Sequence, residues 1–537
     1  MLMPHTHLVR RFSISVSVAL AVLVAGAPVR AAEAPSNIEL IKMLVEKGII
    51  SVDEAKKIIA DENLKKEPDA NTLRVTHVPE AVREDIAAKV REGVKADVTK
   101  EVLSKAKTEG WGIAGAQPEW LRKIKLSGDF RLRVQQDTFG SDNAALSVID
   151  YQVVNEKGSR TKAADKAFIN ATEDRMRLRD RLRLQVDAKI NEAVDFHTRI
   201  ATGNALDPVS TNQTLGNYGE KQSIALDQAY AVGTFFDEQL QIKLGRMPNP
   251  FMASDLVWDA DLGFEGATSS WTVYSLKSSG AGVIASFLAG AFPIQEVELS
   301  QQDKWLYSLE ASITWQQSNT NKLRAALGYF AFDNIVGEKN ALDSKLTDYS
   351  APKNMQRGNS VFNIRNSSAP SSADELFGLA ADFNDLDLIL SYDIPVSEGR
   401  HLIVTADYVT NLGYDSDPVA SFMNDAAYAK QTDGYKVDVL WGVPKAFKRG
   451  EWNVTIAYRH LERDAVLDAF TDSDFLLGGT DNKGFVLSGE YSVLDNTNIK
   501  LSFLSASSIN PVGKSKDANN PIDFDSDSVQ LDFNVKF

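Results

Sequence analysis

The chain has 537 residues, of which 43% are hydrophobic, and it contains no cysteine. Its 58 Lys and Arg against 73 Asp and Glu give a formal net charge of −15. This composition excludes a bundle of transmembrane helices, a disulfide scaffold and a thiolate metal site. It also excludes a basic nucleic-acid-binding protein, because an acidic chain is not drawn to phosphate backbones.

Residues 1–31 have the pattern of a cleavable secretory signal. Arg10 and Arg11 precede an apolar run that extends to Ala25, and small residues surround the end of the segment. This pattern predicts export from the cytoplasm. After this leader, the longest nearly uncharged apolar stretch, 281–294, is shorter than the roughly 18–20 residues of a spanning helix. Any membrane crossing is therefore expected to use strands.

The region 32–116 has a helical pattern and is predicted to lie in the periplasm. Gly48 stands where a C-terminal cap belongs, and Ser51 with Glu54 forms a capping box. A longer helix is predicted over 79–107, where apolar residues recur every fourth position. That interval drifts around a 3.6-residue helix, which favours an amphipathic spacer or docking helix over an oligomerising coiled coil.

Beyond Trp120 the hydrophobic period changes from 3.6 to 2 residues, which indicates strands up to the last residue. Short turns alternate with long loops rich in Asn, Asp, Ser and Gly. A soluble sandwich has no reason to sort its connections in this way, whereas an outer-membrane barrel has short periplasmic turns and long external loops. The sixteen predicted strands lie near 122–135, 174–189, 193–203, 224–235, 238–246, 263–274, 282–292, 304–316, 320–333, 383–394, 400–412, 431–443, 450–462, 482–494, 497–507 and 526–537.

The predicted fold class is therefore an all-β membrane protein. It has a signal peptide at 1–31, a short α-helical periplasmic region at 32–116 and an antiparallel outer-membrane β-barrel of about 16 strands at 117–537. Trp305 and Trp315 share one strand face, about 33 Å apart along the strand and about 25 Å apart in height at a 40° tilt. This is the separation of the two aromatic girdles of a membrane barrel.

Several motifs resemble those of the putative porin family of Gram-negative outer membranes. They are residues 118–120, the first strand at 127–133, the stretches 244–251 and 258–262, and the terminal Phe537. The stretch 244–251 is more loosely similar to phosphate-selective porins. The resemblance implies a β-barrel pore and, in Phe537, an assembly signal that the barrel-assembly machinery recognises. It implies no particular solute.

Sixteen strands leave an aqueous channel, so the polar strand faces are expected to line a lumen. The first two strands then carry a basic ladder, because arginines at every second position would cost about 2–4 kcal/mol each near the middle of a lipid face. The ladder consists of Lys123, Lys125, Arg131, Arg133, Arg175, Arg177, Arg179, Arg181 and Arg183.

The opposite side of the lumen is predicted to be acidic. The acidic wall comprises Asp385, Asp387, Asp407 and Asp438, and Asp393 shares its parity. A basic ladder facing an acidic wall predicts a transverse field that orients polar solutes. A generic wet lumen in which paired charges satisfy one another is the open alternative.

A constriction loop is predicted at about 247–261, where Asp255, Asp259 and Asp261 could fold into the lumen. Other acidic loops, at 468–481 and 523–527, are predicted to be solvated, because neither matches a calcium-binding spacing; calcium bridging to lipopolysaccharide is the open alternative. No metal or cofactor is expected. His460 and Glu462 share a strand face, yet no histidine of the mature chain lies in a recognisable catalytic motif, so no enzymatic activity is expected.

The predicted function is an outer-membrane porin for passive diffusion of small hydrophilic solutes and ions. One alternative is a solute-specific channel for anions such as phosphate or an anionic polysaccharide, which the basic ladder would suit. A second alternative is a plugged binding or adhesion barrel. The expected partners are outer-membrane lipid, lipopolysaccharide, the barrel-assembly machinery, the solutes and other copies of the chain.

Overall fold

The computed structural model describes residues 56, 98–100, 123–278, 281–298, 300–317, 321–397, 399–514 and 521–537. The chain divides into two units, Met1–Val102 and Leu103–Phe537, and every strand named below belongs to the second. The predicted leader and the predicted helical region lie outside the described residues, except for Lys56 and residues 98–100, which are helical.

Sixteen antiparallel strands form the wall of a closed barrel, which confirms the predicted fold class. Each strand pairs with its neighbours in the sequence, and the last strand pairs with the first. The strands are β1 Ile124–Phe139, β2 Arg175–Lys189, β3 Val194–Thr202, β4 Ile224–Phe235, β5 Leu240–Pro248, β6 Gly263–Ser278, β7 Ala281–Gln295, β8 Lys304–Gln317, β9 Asn321–Asp333, β10 Asn384–Ser397, β11 Arg400–Asn411, β12 Asp433–Gly442, β13 Trp452–Leu461, β14 Asn482–Leu494, β15 Thr497–Ser508 and β16 Asp525–Lys536.

The C-terminal residue completes the closure of the barrel. Gly128 and Phe537 exchange two backbone hydrogen bonds, with N···O distances of 2.8 and 3.0 Å. The Phe537 ring also lies over Gly128, where the Cβ atom of any other residue would stand 2.7 Å from the ring. Glycine at this position therefore leaves room for the terminal aromatic side chain.

Connections of two kinds separate the strands and define two ends of the barrel. One end carries the short connections 190–193, 236–239, 279–280, 318–320, 398–399, 443–451 and 495–496. We call it the short-turn end. The other, the long-loop end, carries 140–174, 203–223, 249–262, 296–303, 334–383, 412–432, 462–481 and 509–524.

The long loops contain further regular structure. In the described parts of these loops there are three short α-helices: α1 Tyr151–Lys157, α2 Arg160–Ala163 and α3 Ser416–Met423. Small two-stranded pairings join Val361–Asn363 to Phe377–Leu379 and Gly513–Lys514 to Pro521–Ile522, and the two-residue strand Gln213–Thr214 pairs with β2.

The loops pack against one another across the long-loop end. Arg160 forms an ion pair with Glu375 at 2.6 Å, which joins loop 140–174 to loop 334–383. The buried Arg357 donates from Nη2 to the carbonyl oxygen of Leu476 at 2.8 Å, which joins loop 334–383 to loop 462–481. These three loops are therefore connected to one another rather than being independent surface segments.

The main hydrophobic core lies inside the barrel at the long-loop end. Phe251 and Trp258 of loop 249–262 pack against inward-facing strand residues, with ring centroids 4.9 and 5.1 Å from that of Phe330. The inward-facing strand members of this core lie near the long-loop ends of their strands: Met247, Phe264, Phe292, Leu306, Phe330, Phe332, Val409 and Leu461. Part of the lumen near the long-loop end is therefore filled by apolar side chains.

Among the described residues, no helix has the length and apolar character needed to cross a membrane.

Candidate functional site in the lumen

The side chains of the basic ladder lie on the inward faces of β1 and β2. The two strands pair in register, so that Arg131 lies opposite Arg181 and Arg133 lies opposite Arg179. Intervening residues such as Met176 and Leu178 are 66% and 45% exposed on the outward face, which fixes the direction of the arginines. Towards the two ends of the barrel the ladder residues Lys123, Lys125 and Arg175 are exposed.

Two arginines in the middle of the ladder lie between two aspartates. Arg183 is 2.8 Å from Asp129 and 3.1 Å from Asp261. Arg181 is 2.9 Å from Asp129 and 3.5 Å from Asp261. Asp129 belongs to β1, whereas Asp261 lies at the end of the loop between β5 and β6, so this loop reaches across to the ladder.

A second loop reaches the ladder at Arg133. The guanidinium of Arg133, which is 5% exposed, contacts Asp532 of β16 and Asp474 of loop 462–481, both at 2.7 Å. Asp474 also lies 3.8 Å from Arg179. Although burial of Asp474 favours its neutral form, the charge of Arg133 dominates and holds the pKa of this carboxyl below its usual range.

The remaining arginines of the ladder differ in their partners. Arg177 forms an ion pair with Asp137 at 2.5 Å. Arg131 donates to the side-chain oxygen of Asn212, and no carboxylate within the described ranges lies within ion-pair distance of it. Arg131 is therefore a half-buried cation whose hydrogen-bond partner is neutral.

Loop 249–262 corresponds to the predicted constriction loop, and its first half lies along the acidic wall. The backbone N–H of Met252 donates to Glu310 of β8 at 3.0 Å, and the Ser254 hydroxyl donates to Asp407 of β11. Asp255 forms an ion pair with Lys436 of β12. Since Asp261 at the far end of the loop contacts Arg181 and Arg183, the loop extends from the acidic wall to the basic ladder.

The acidic wall contains carboxylates with few partners. Asp385, Asp387 and Asp407 are between 1% and 3% exposed. Both side-chain oxygens of Asp385, and one oxygen each of Asp387 and Asp407, accept no hydrogen bond within the described structure. Asp438 differs from them, because it lies 3.5 Å from Lys436.

Among the carboxyl groups of the two lumen-facing loops, some have a lowered pKa and others a raised pKa. Burial would raise the pKa of Asp255, but the charges of Lys436 and Arg459 outweigh it and lower the pKa. Burial, reinforced by the neighbouring Asp472, raises the pKa of Asp259 to about 8. Burial and the charge of Asp255 likewise raise the pKa of Asp472 to about 6, despite the opposing effect of Arg459.

The acidic loop 468–481 is not solvated, contrary to the sequence-based expectation. Asp468 and Asp481 are 1% and 6% exposed. Asp474 contacts the ladder, and Asp472 lies 3.5 Å from Arg459 of β13. Asp474 thus reaches Arg133 and Arg179, and Asp472 reaches Arg459, on the inward faces of the strands.

At the short-turn end, two histidine–aspartate pairs face the lumen from opposite sides of the barrel. His197 of β3 lies 2.6 Å from Asp187 of β2, and His401 of β11 lies 2.6 Å from Asp393 of β10. All four side chains are between 21% and 27% exposed. This end of the lumen is therefore lined by partly hydrated polar groups.

The outward face carries the predicted girdle residues. Trp305 and Trp315 lie on the same outward face near opposite ends of β8, and Trp315 is 45% exposed. His460 stacks on the outward-facing Tyr435 at 5.1 Å, and Glu462 accepts from the backbone N–H of Asp433 at 2.9 Å. His460 and Glu462 thus serve in local packing and loop attachment.

Sequence reasoning missed several residues of the lumen. Lys436 of β12 and Arg459 of β13 place positive charge beside the acidic wall. Strand parity could have predicted that Lys436 faces the lumen, since it is two residues from Asp438. Thr211 and Asn212 lie in a long loop, where no periodicity marks an inward-facing side chain. Within the described residues, no group of three or more His, Asp or Glu side chains is placed to hold a metal ion.

A family model described as Putative porin matches residues 35–537. The chain belongs to this family. The match extends over the whole barrel, so this porin is an outer-membrane channel, and its family and fold are those of a channel rather than an enzyme. The family assignment does not specify a solute.

Several solved structures are similar to this chain at low sequence identity. OprB of Pseudomonas putida is 13% identical, with 78% of this porin and 96% of that chain covered and a TM-score of 0.42. DcaP of Acinetobacter baumannii, an outer-membrane channel, is 10% identical, with coverages of 77% and 97% and a TM-score of 0.38. OmpT of Vibrio cholerae, an outer-membrane protein in its trimer form, is 8% identical, with coverages of 77% and 99% and a TM-score of 0.37.

A comparison with curated proteins gives no match. The assignment therefore rests on the family match and on the barrel itself.

Proposed function

We propose that this porin conducts small hydrophilic solutes and ions by passive diffusion through the lumen, past the basic ladder and the two loops that contact it. The supporting observation is that Asp261 and Asp474, from loops 249–262 and 462–481, contact ladder arginines inside the barrel. Opposite charges on the two sides of a passage orient dipolar solutes and raise the local concentration of counter-ions. The partly exposed polar groups at the short-turn end form the wet entrance to this passage.

Single-channel conductance in planar bilayers tests this proposal. Detergent-purified protein is expected to give stable conductance steps, and the reversal potential under a salt gradient gives the sign of the ion preference. Arg179→Glu with Arg181→Glu reverses two charges of the ladder and is expected to shift the reversal potential towards cation preference. A conducting variant with unchanged ion preference would contradict the assignment of the ladder to the passage.

The solute-specific anion channel is a second candidate, and Arg131 favours it. This arginine faces the lumen with a neutral hydrogen-bond partner, so its charge is available to a passing anion. A specific channel has a binding site that becomes saturated as the solute concentration rises, whereas a general porin has no such site. Conductance that saturates with one anion, such as phosphate, would support specificity.

The plugged barrel is a third candidate, and the core at the long-loop end favours it. Phe251 and Trp258 fill part of the lumen together with the inward-facing strand residues near them. A barrel that is completely closed would bind a ligand on its external loops and would conduct no ions. Protein that migrates as a folded barrel but leaves the bilayer silent would support this candidate over a channel.

The short-turn end is proposed to face the periplasm together with the N-terminal helical region, and the long-loop end to face the outside. Outer-membrane barrels generally have this asymmetry. Phe537 is the proposed signal for the barrel-assembly machinery, and the lipid surface with lipopolysaccharide is the proposed environment of the outward face. An epitope inserted in loop 334–383 should be accessible on intact cells, and one in turn 443–451 should not.

A homo-oligomer is proposed from an ion pair on the outward face. Arg246 of β5 and Glu265 of β6 form an ion pair at 2.7 Å with side-chain exposures of 30% and 60%. Charged groups are unfavourable against lipid, and a second copy of the chain would cover them. The oligomeric state of Arg246→Leu with Glu265→Leu, measured by native electrophoresis, tests this. An unchanged oligomer would contradict the role of this ion pair.

A further inference from the structure

The carboxylate of Asp261 has four hydrogen-bond donors around it. One oxygen faces Nη1 of Arg183 at 3.1 Å and Nη1 of Arg181 at 3.5 Å. The other oxygen accepts from the Thr211 hydroxyl at 2.9 Å and from the Thr211 backbone N–H at 3.3 Å. Each oxygen of the carboxylate thus accepts hydrogen bonds from its own pair of donors.

These donors are positioned by groups other than Asp261. Asp129 accepts from Arg181 at 2.9 Å and from Arg183 at 2.8 Å on the opposite side of the guanidinium groups. The carbonyl oxygen of Thr211 accepts from the Thr202 hydroxyl at 3.2 Å. The arrangement would therefore keep its shape if the carboxylate of Asp261 moved away.

The charge of the surroundings favours an anion at this place. The positive charges of Arg131, Arg181 and Arg183 favour the ionised form of Asp261. Asp129 of β1 contributes a negative charge beside Arg181 and Arg183. Burial raises the pKa of Asp261, but the charges of Arg181 and Arg183 lower it below its usual range. Without Asp261, the three arginines and Asp129 together would carry an excess of two positive charges.

We propose that these donors form a receptor for the carboxylate of a passing solute, and that Asp261 occupies it between passages. The inference rests on the proposed function, because a solute must enter the lumen to compete with Asp261. A carboxylate is planar and offers two oxygens, each of which meets one pair of donors here. Chloride has a single centre and cannot bridge both pairs. The substrate class is therefore small organic carboxylates.

The test is the effect of acetate on the current of single channels of the full-length protein in potassium chloride. Asp261→Ala vacates the receptor, so acetate is expected to reduce the current at roughly tenfold lower concentration than in the wild type, the size expected for removal of one charged competitor. Asp261→Ala combined with Arg183→Gln removes a donor and is expected to abolish this gain. Inorganic phosphate, added at the same charge concentration, is the comparison anion.

The matched control is Asp165→Ala, which removes the same charge from an exposed position in loop 140–174, away from the proposed receptor. It is expected to leave the acetate sensitivity within about twofold of the wild type. A conducting Asp261→Ala channel that is no more sensitive to acetate than Asp165→Ala overturns the receptor. Equal gains for phosphate and acetate overturn the assignment to carboxylates. A silent wild-type channel would contradict the proposed function instead, so the two failures are distinguishable.

Discussion

Asp259 and Asp472 belong to different loops, yet the negative charge of Asp472 disfavours ionisation of Asp259. The loops meet at this point through backbone hydrogen bonds. The N–H of Asp259 donates to the carbonyl oxygen of Phe470 at 2.8 Å, and the N–H of Ser473 donates to the Asp259 carboxyl at 3.1 Å. Two lumen-facing loops are thus joined at a carboxyl that is protonated at neutral pH.

This junction is expected to weaken as the pH rises. The pKa of Asp259 is about 8 in the folded protein against an ordinary value of 3.8, so the folded state holds a proton that the unfolded chain releases. The stabilisation is therefore largest below pH 3.8 and is lost as the pH rises towards about 8. Hydrogen exchange at the N–H of Asp259, corrected for its intrinsic rate, should show less protection at about pH 9 than at about pH 6.

Asp259→Asn should remove this difference, because the amide stays neutral at both pH values. Asp165→Asn, at an exposed position in loop 140–174, is the control and should behave as the wild type. If protection is the same at both pH values in the wild-type protein, Asp259 does not control the junction.

Replacement of Arg133 by Gln is expected to destabilise the barrel by about 3–5 kcal/mol, because it leaves the carboxylates of Asp474 and Asp532 without their cation in a buried site. Urea unfolding in detergent micelles measures the free energy of unfolding. Arg449→Gln serves as the control, since Arg449 is exposed in turn 443–451 and its replacement is expected to change the free energy of unfolding by about 0.5 kcal/mol or less. Similar losses in both variants would contradict the importance of burial.

Replacement of Asp385 by Asn is expected to leave the free energy of unfolding unchanged or to increase it. The carboxyl of Asp385 is 1% exposed and neither oxygen accepts a hydrogen bond in the described part of the chain. Removing an unpaired buried carboxylate removes a desolvation cost. Asp532→Asn, which weakens the contact with Arg133, should lower stability in the same urea experiment. A large loss for Asp385→Asn would reveal a partner for this carboxyl.

Gly245→Ala is expected to prevent folding of most molecules. Gly245 and Gly266 are paired across β5 and β6, with φ angles of 118° and 146°. A Cβ at Gly245 would stand 2.4 Å from the carbonyl oxygen of Ala229, which belongs to the barrel backbone. The folded fraction is measured by heat-modifiable electrophoresis. Gly489→Ala is the control, because its nearest neighbour would be 3.9 Å away.

The strands could be predicted because apolar and polar residues alternate along each strand, and the apolar residues mark the face that contacts lipid. All sixteen predicted strands are present, and the errors at their ends have a physical origin. β6 continues to Ser278 rather than 274, since an irregularity between Thr272 and Tyr274 shifts the parity and breaks the alternation. β1 continues to Phe139, whereas the predicted strand ends at 135. The prediction is short because Gln136 and Thr138 are polar residues on the outward face, where the pattern requires apolar ones.

The inward fold of the loops was less predictable. Local sequence contains no sign that Asp261 contacts Arg183, a residue 78 positions away. The acidic residues of loop 462–481 are predicted to be solvated because the pattern of a loop does not reveal the arginines opposite it. Strand parity predicts which side chains enter the lumen, whereas the contacts between lumen and loops depend on tertiary packing.

Loop 249–262 is attached at two separated points, through Ser254 to β11 and through Asp261 to β2. While the carboxylate of Asp261 is bound at the ladder, the segment is held at both ends and does not swing as a hinged lid. Its position depends on the chain length between the two attachments, about 23 Å at full extension. Insertions or deletions between Ser254 and Asp261 would therefore change the width of the proposed passage while the number of strands stayed the same.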